Sequence, residues 1–129
     1  MTRDEIFDYC QNQYGTEPEY LWMETPDAAV LRHRDNQKWY GILMTVSSDR
    51  LGRKGTAPLD ILDIKGDPDD IVHIREMAGF APAYHMNKKH WLTVILAEVT
   101  DKETVCRLID RSYALTASKE KRHGRKKQG

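Results

Sequence analysis

The stretch Ala28-Ala-Val-Leu-Arg-His-Arg-Asp-Asn-Gln-Lys-Trp-Tyr-Gly-Ile-Leu-Met-Thr-Val46 decides the fold. Two runs rich in apolar and β-branched residues flank Asp35-Asn36-Gln37, and Asp and Asn side chains bond back to nearby backbone in tight turns. Ala28–His33 and Lys38–Val46 therefore form an antiparallel hairpin. An antiparallel sheet can leave one face wet but needs cover on the other, so amphipathic helices are expected on either side of the hairpin in the chain.

Before the hairpin, Thr2 and Glu5 have the spacing of a capping box, and Ile6, Phe7, Cys10 and Tyr14 recur on one helical face until Gly15. This predicts a helix over Arg3–Tyr14. Glu17–Met23 contains Pro18 and a short apolar run, and reads as an irregular or edge segment.

After it, Ser47–Pro58 carries two glycines and Arg50, Arg53 and Lys54, which predicts a long mobile loop. Leu59–Lys65 is a third strand closed by Gly66. Asp67-Pro68-Asp69-Asp70 combines a capping residue, a first-turn proline and first-turn carboxylates. The helix it opens runs to about Met77, with Ile71, Ile74 and Met77 on its apolar side and Gly79 as its stop. Pro82 then makes Ala81–His90 an exposed connection into a strand over Trp91–Ala97. Thr100 with Glu103 marks a second capping box, and Val105, Leu108, Ile109 and Tyr113 form the inner face of a last helix to about Ala117. The fold class is α+β: a two-layer sandwich, its antiparallel sheet covered on one face by about three helices.

A chain of 129 residues with 40% hydrophobic residues fits one domain, residues 1–117, followed by a basic and disordered tail, 118–129. Mean hydropathy is −0.70 and no apolar run approaches the ~20 residues of a membrane span. No secretory leader is visible, so a cytoplasmic monomer with no membrane partner is expected. Cys10 and Cys106 lack the paired spacing of zinc or redox motifs and read as buried thiols. Net charge is zero but uneven: residues 119–129 carry +5 and residues 1–118 carry −5. Attraction to a polyanion must then come from local patches or from the tail.

No catalytic constellation is present. Ser47, Ser48, Ser112 and Ser118 sit outside any Gly-x-Ser-x-Gly elbow, and Gly52 and Gly55 lack the strand and helix context of a phosphate loop. Asp60, Asp63, Asp67, Asp69 and Asp70 lack the sharp-turn glycine of a calcium loop, and a loop starting at a proline does not align His85 and His90 as helix-borne metal ligands do. Neither a cofactor nor a metal is expected. What remains is a set of donors suited to phosphate oxygens: His85, Asn87, Lys88, Lys89 and His90 in one tract, Lys38 beside the hairpin turn, and Arg50, Arg53 and Lys54 in the long loop. Trp39, Tyr40 and Trp91 lie within strands and are expected in the core.

Phe80-Ala-Pro-Ala-Tyr-His-Met-Asn-Lys-Lys-His-Trp-Leu-Thr-Val94 resembles the signature of the MmcQ/YjbR family, small bacterial proteins described as DNA-binding. Arg32–Tyr40, Ile61–Pro68 and Leu108–Tyr113 are similar to three further family motifs, although Gly66 stands where many members have cysteine. The resemblance implies a fold grouped with the frataxin-like CyaY proteins and a DNA-binding surface formed by paired wing loops. Two other roles stay open at this point: a frataxin-like module that handles metal or binds a protein, and a small-molecule enzyme.

Overall fold

Thr2 and Glu5 satisfy each other's backbone N–H groups at 3.2 and 3.0 Å, and from this cap helix α1 runs over Arg3–Tyr14 to Gly15, whose φ is +69°. The computed structural model describes residues 1–119, so residues 120–129 of the basic tail lie outside the described residues. Strand β1 is Ala29–Arg32 and β2 is Trp39–Ser47; a 3-10 turn over Ser48–Leu51 then leads to β3, Pro58–Lys65. Helix α2 covers Pro68–Ile74, β4 Phe80–Pro82, β5 Trp91–Ile95 and α3 Lys102–Thr116.

The five strands form one antiparallel sheet in the order β1-β2-β3-β5-β4. The hairpin turn is built as its residues dictate: the Asp35 carboxylate accepts from the Asn36 N–H and the Asn36 side-chain oxygen from the Lys38 N–H, both at 2.9 Å. The Asn36 amide then donates to the Thr116 carbonyl at 2.9 Å, which ties the turn to the end of α3. A bulge between Leu31 and Arg32 admits Tyr40 to the helix side, where its ring meets those of Tyr14, His33 and Tyr113.

Alternation along the strands sorts the faces. Leu31, Leu43, Leu62, Ile64, Leu92 and Val94 pack with Ile6, Cys10, Ile71, Val105 and Ile109 of the helices into the main core. Their neighbours point to the helix-free face. There a smaller cluster, Val46, Ile61, Ala81 and Ile95, is capped by Tyr84 from the β4–β5 connection. A single cross-strand row on that face reads Val30, Ile42, Asp63, Thr93, Ala81.

Four local expectations are corrected. Asp67 holds the cap position of α2, but its carboxylate bonds Arg111 at 2.7 and 2.9 Å instead of the helix N–H groups. The cap of α3 is Asp101, which accepts from Glu103 and Thr104; Thr100 stands one residue too early. Helix α2 ends at Ile74, so Met77 leaves its apolar face and is exposed. Ala81 and Pro82 belong with Phe80 to an edge strand rather than to an exposed connection: Pro82, at the edge, needs no ladder donor. In the 47–58 loop the Ser48 N–H donates to the Ala57 carbonyl at 2.9 Å and the Arg53 N–H to the Ser48 carbonyl at 3.1 Å.

Gly79, entering β4, adopts φ +90°, and a Cβ there would lie 2.7 Å from Val99 Cγ1 and 3.1 Å from the Val99 backbone. Gly79→Ala combines left-handed strain with overpacking, and is expected to lower unfolding free energy by roughly 2–4 kcal/mol in urea titration. A loss below about 0.5 kcal/mol would show that the β4 entrance relaxes freely.

Candidate functional site

Strand direction places the candidate residues at two ends of the sheet. The hairpin turn with Lys38, the end of β3 at Lys65, and the two ends of the connection 83–90 share one end, because Trp91 pairs with Lys65 and Gly41 with Ile64; between those ends the connection folds back over the helix-free face, where His85 lines a cavity with Met44, Thr45 and Val46. The loop with Arg50, Arg53 and Lys54 lies at the other, beyond the Ser47–Pro58 pair. Eight residues of β3 separate the two ends by about 25 Å at the strand rise of ~3.3 Å per residue.

Within the 83–90 connection the side chains divide by task. Asn87 is the organiser: its side-chain oxygen accepts from the N–H groups of Lys89 and His90 at 2.9 and 3.2 Å, and its carbonyl from Trp91 at 2.9 Å. Its side-chain amide donates no hydrogen bond among the described residues and can serve a ligand. Lys88 turns back, its ammonium donating to the Ala83 carbonyl at 3.0 Å. His85 sits in left-handed backbone, φ +59°, with its ring 4.0 Å from that of Tyr84. Lys89 and His90 are exposed, and neither makes an ion pair among the described residues.

Lys38, Arg50 and Lys54 are likewise exposed without ion pairs among the described residues. Arg53 differs. Its guanidinium grips Glu98 at 2.8 and 3.1 Å, a pairing that holds the Glu98 carboxyl below the usual carboxylate range and occupies the donor fork.

Two features of the site escaped sequence reading. Trp39 and Trp91 belong to neither apolar cluster: both are half-buried on the helix-free face, where the β2 bulge and the Lys65 pairing direct them, and only Tyr40 enters the core. Trp22, from the connection before β1, meets Trp39 edge to face with ring centres 5.6 Å apart. The alternation of β2 assigned Trp39 wrongly because the bulge that shifts it is invisible in composition. Lys65 was passed over as a strand residue, yet it lies beside Trp91 on the same face.

Asp63, in the middle of that face, is completely buried. Thr93 donates its hydroxyl to Oδ1 and itself accepts the Tyr84 N–H at 2.9 Å, while Oδ2 makes no hydrogen bond among the described residues. Burial pushes the carboxyl up to about 7, against the opposing pull of the Thr93 hydroxyl, the nearby Tyr84 N–H and the Lys88 charge. The connection thus closes over a carboxyl that prefers to hold its proton. A larger cavity, about 740 Å³, opens between the end of α1 and the hairpin; within its lining Arg32 binds Glu19 through two 2.7 Å bonds, and His33 lies 2.9 Å from the Thr116 hydroxyl. No group of three His, Cys, Asp or Glu side chains among the described residues is placed to hold a metal ion. No described helix is long and apolar enough to cross a membrane.

The Asp63 environment sets a pH dependence. The native carboxyl keeps its proton up to about pH 7 whereas the unfolded chain loses it near 4, so the unfolded state binds fewer protons across that window. Stability contributed by the protonated form is complete below about pH 4 and is lost as pH rises to 7. Asp63→Asn, which cannot ionise, is expected to flatten this fall and to exceed the wild type by up to roughly 4 kcal/mol at pH 8 in denaturant titration. An unchanged pH profile in the variant would place the proton elsewhere.

Comparison with known proteins agrees with this architecture. The YjbR family matches residues 11–115. The uncharacterized protein YyaQ of Bacillus subtilis (strain 168) is 38% identical over 116 residues, 90% of this chain and 98% of that protein. A crystal structure of a Pseudomonas syringae protein superposes with a TM-score of 0.88 at 40% identity, covering 91% of this chain and all of that one. A solution NMR structure from the same organism gives 0.83 at 39% identity, over 92% and 95% of the two chains. A Deinococcus radiodurans structure, TM-score 0.68 at 22% identity over 92% of this chain and 80% of that one, shares the fold. Matched by family across the sheet and all but the first turns of the helical layer, and by a relative along nearly its whole length, the chain belongs to the YjbR family.

Proposed function

We propose that the protein binds nucleic acid without catalysis, through phosphate contacts made at the Lys38 and Asn87–His90 end of the sheet. One observation carries this reading: Lys38, Lys65 and Lys89 gather at one end of the sheet from three separate segments, and none of them is in an ion pair among the described residues. Ammonium groups held near one another and uncompensated create a local positive field whatever the net charge of the body. His90 and the Asn87 amide add donors beside them, His85 stands farther along the helix-free face over Met44–Val46, and Lys88 serves mainly by bracing the turn that presents the others. Arg50 and Lys54 make a second, more distant patch about one strand length away, so a duplex could meet both only by lying along the strands. Arg53, held by Glu98, contributes to it only if that pair opens.

The test is a DNA titration by fluorescence anisotropy at about 0.05 and 0.2 M salt, comparing the full chain with Lys38→Glu/Lys89→Glu. Both side chains are exposed, so the variant is expected to keep its thermal midpoint. Binding should weaken at least tenfold, and the slope of log affinity against log salt should shrink by about 2, near 0.9 per lost phosphate contact. Equal affinity and slope in the two proteins would remove this end of the sheet from binding. A chain cut after Ser118 separates any contribution of the basic tail.

A further inference from the structure

The helix-free face carries more aromatic surface than phosphate contacts require. Trp22, Trp39, Trp91, Tyr84 and His85 all lie on it, each at least partly exposed. Between Trp22 on one side and the Tyr84–His85 pair on the other is a cavity of about 340 Å³ with Met44 and Val46 as its floor. Thr25, Asp27 and Thr45 supply its polar rim. We propose that this face binds single-stranded nucleic acid and that the cavity seats one unpaired base.

The proposal rests on the nucleic-acid reading above and specifies the form of the ligand. A cavity lined by aromatic rings and apolar side chains suits a planar heterocycle; its volume lies in the range of small-ligand sites, and its few polar groups offer partners for the edge of a base. Bases within a duplex are stacked on each other and cannot enter such a slot, whereas unpaired bases stack readily on aromatic side chains. The Trp22–Trp39 contact is edge to face, interplanar angle 85°, so it occupies the face of only one of the two rings. The charges fit as well. His85 stands at the cavity, Lys88 and Lys89 follow it in the same connection, and Lys65 and Lys38 lie where the strand would continue past Trp91 and Trp39. Of the acidic groups on this face, Glu19 is paired with Arg32, and Asp63 is closed off beneath the connection. Asp27 alone faces the cavity, as an acceptor for an exocyclic amino group. The left-handed backbone of His85, costly for a residue with a side chain, holds the imidazole beside Tyr84 at the cavity mouth.

The experiment compares labelled single strands of about 12 nucleotides, as DNA and as RNA, with a duplex of the same sequence, using the full chain and the variants Trp22→Ala, Trp22→Phe and His85→Ala. Single strands are expected to bind more tightly than the duplex and to quench tryptophan fluorescence. Trp22→Ala and His85→Ala should each weaken single-strand binding about tenfold with the thermal midpoint unchanged, Trp22→Ala should leave duplex affinity unchanged, and Trp22→Phe should retain most of the affinity. A preference for DNA or RNA identifies the strand's source, and either supports the proposal. Single-strand binding unaffected by both alanine variants, or a duplex bound more tightly, overturns it. If Lys38→Glu/Lys89→Glu loses all binding while Trp22→Ala loses none, the phosphate reading stands and the base slot falls. If Trp22→Ala alone loses the strand, the slot stands and the lysine end falls. Concentration-dependent self-association abolished by Trp22→Ala, with no strand bound, would also overturn the proposal and make the face a protein-docking surface.

Discussion

Three helices cover one side of a five-stranded sheet, and the other side must be shielded by whatever chain the connections supply. In this protein the shield is the 83–90 connection, and its attachment is the Tyr84 N–H to Thr93 to Asp63 relay at the centre of the helix-free face. A hydroxyl that accepts from the connection and donates to the sheet converts an expensive buried carboxyl into an anchor. The same contact fixes Tyr84 over Ile61 and Ile95, and through the Asn87 turn it sets where Lys89 and His90 emerge. Shape of the candidate surface and burial of Asp63 are therefore one problem with one solution.

The elements legible in the sequence were those whose signals are local. The hairpin followed from Asp35-Asn36-Gln37, α1 from the Thr2–Glu5 box and Gly15, and the start of α2 from Asp67-Pro68, because a capping side chain or a proline acts within a turn of its own position. The misassigned features were set by distant partners. Asp67 has the chemistry of a cap, but Arg111, 44 residues on, offers a charge-assisted bidentate bond that two helix N–H groups do not match. Phe80–Pro82 gained strand character only because β5 returned beside it.

The candidate site was half legible for a related reason. Residue type revealed which side chains can meet a phosphate, and Lys38 and Lys89 do stand exposed as expected. Type could not reveal that Lys88 would brace the Ala83 carbonyl, that Arg53 would be held by Glu98, or that Asn87 would spend its oxygen on the turn. The tryptophans were misread in the opposite direction. Strand alternation gives two faces but not which one the helices cover, and a single bulged residue at Tyr40 exchanged the two aromatic neighbours between them.

An acidic body and a cation-rich end are compatible because the ion pairs of this fold are unevenly placed. Arg3, Arg32, Arg53, Lys102 and Arg111 are each matched to a carboxylate, and those pairs join helices, loops and the β1 edge. Exposed pairs of this kind add little stability, but each cancels a charge at short range. Lys38, Lys65 and Lys89, outside that network, keep their fields, which extend over about a Debye length, roughly 10 Å at 0.1 M salt. That range covers the three strands between the hairpin turn and the 83–90 connection, spaced ~4.8 Å apart, and does not reach the Arg50–Lys54 loop one strand length away. The local potential of this end is thus decided by which cations the fold leaves unpaired, and net charge, the quantity most easily read from composition, is a poor guide to it.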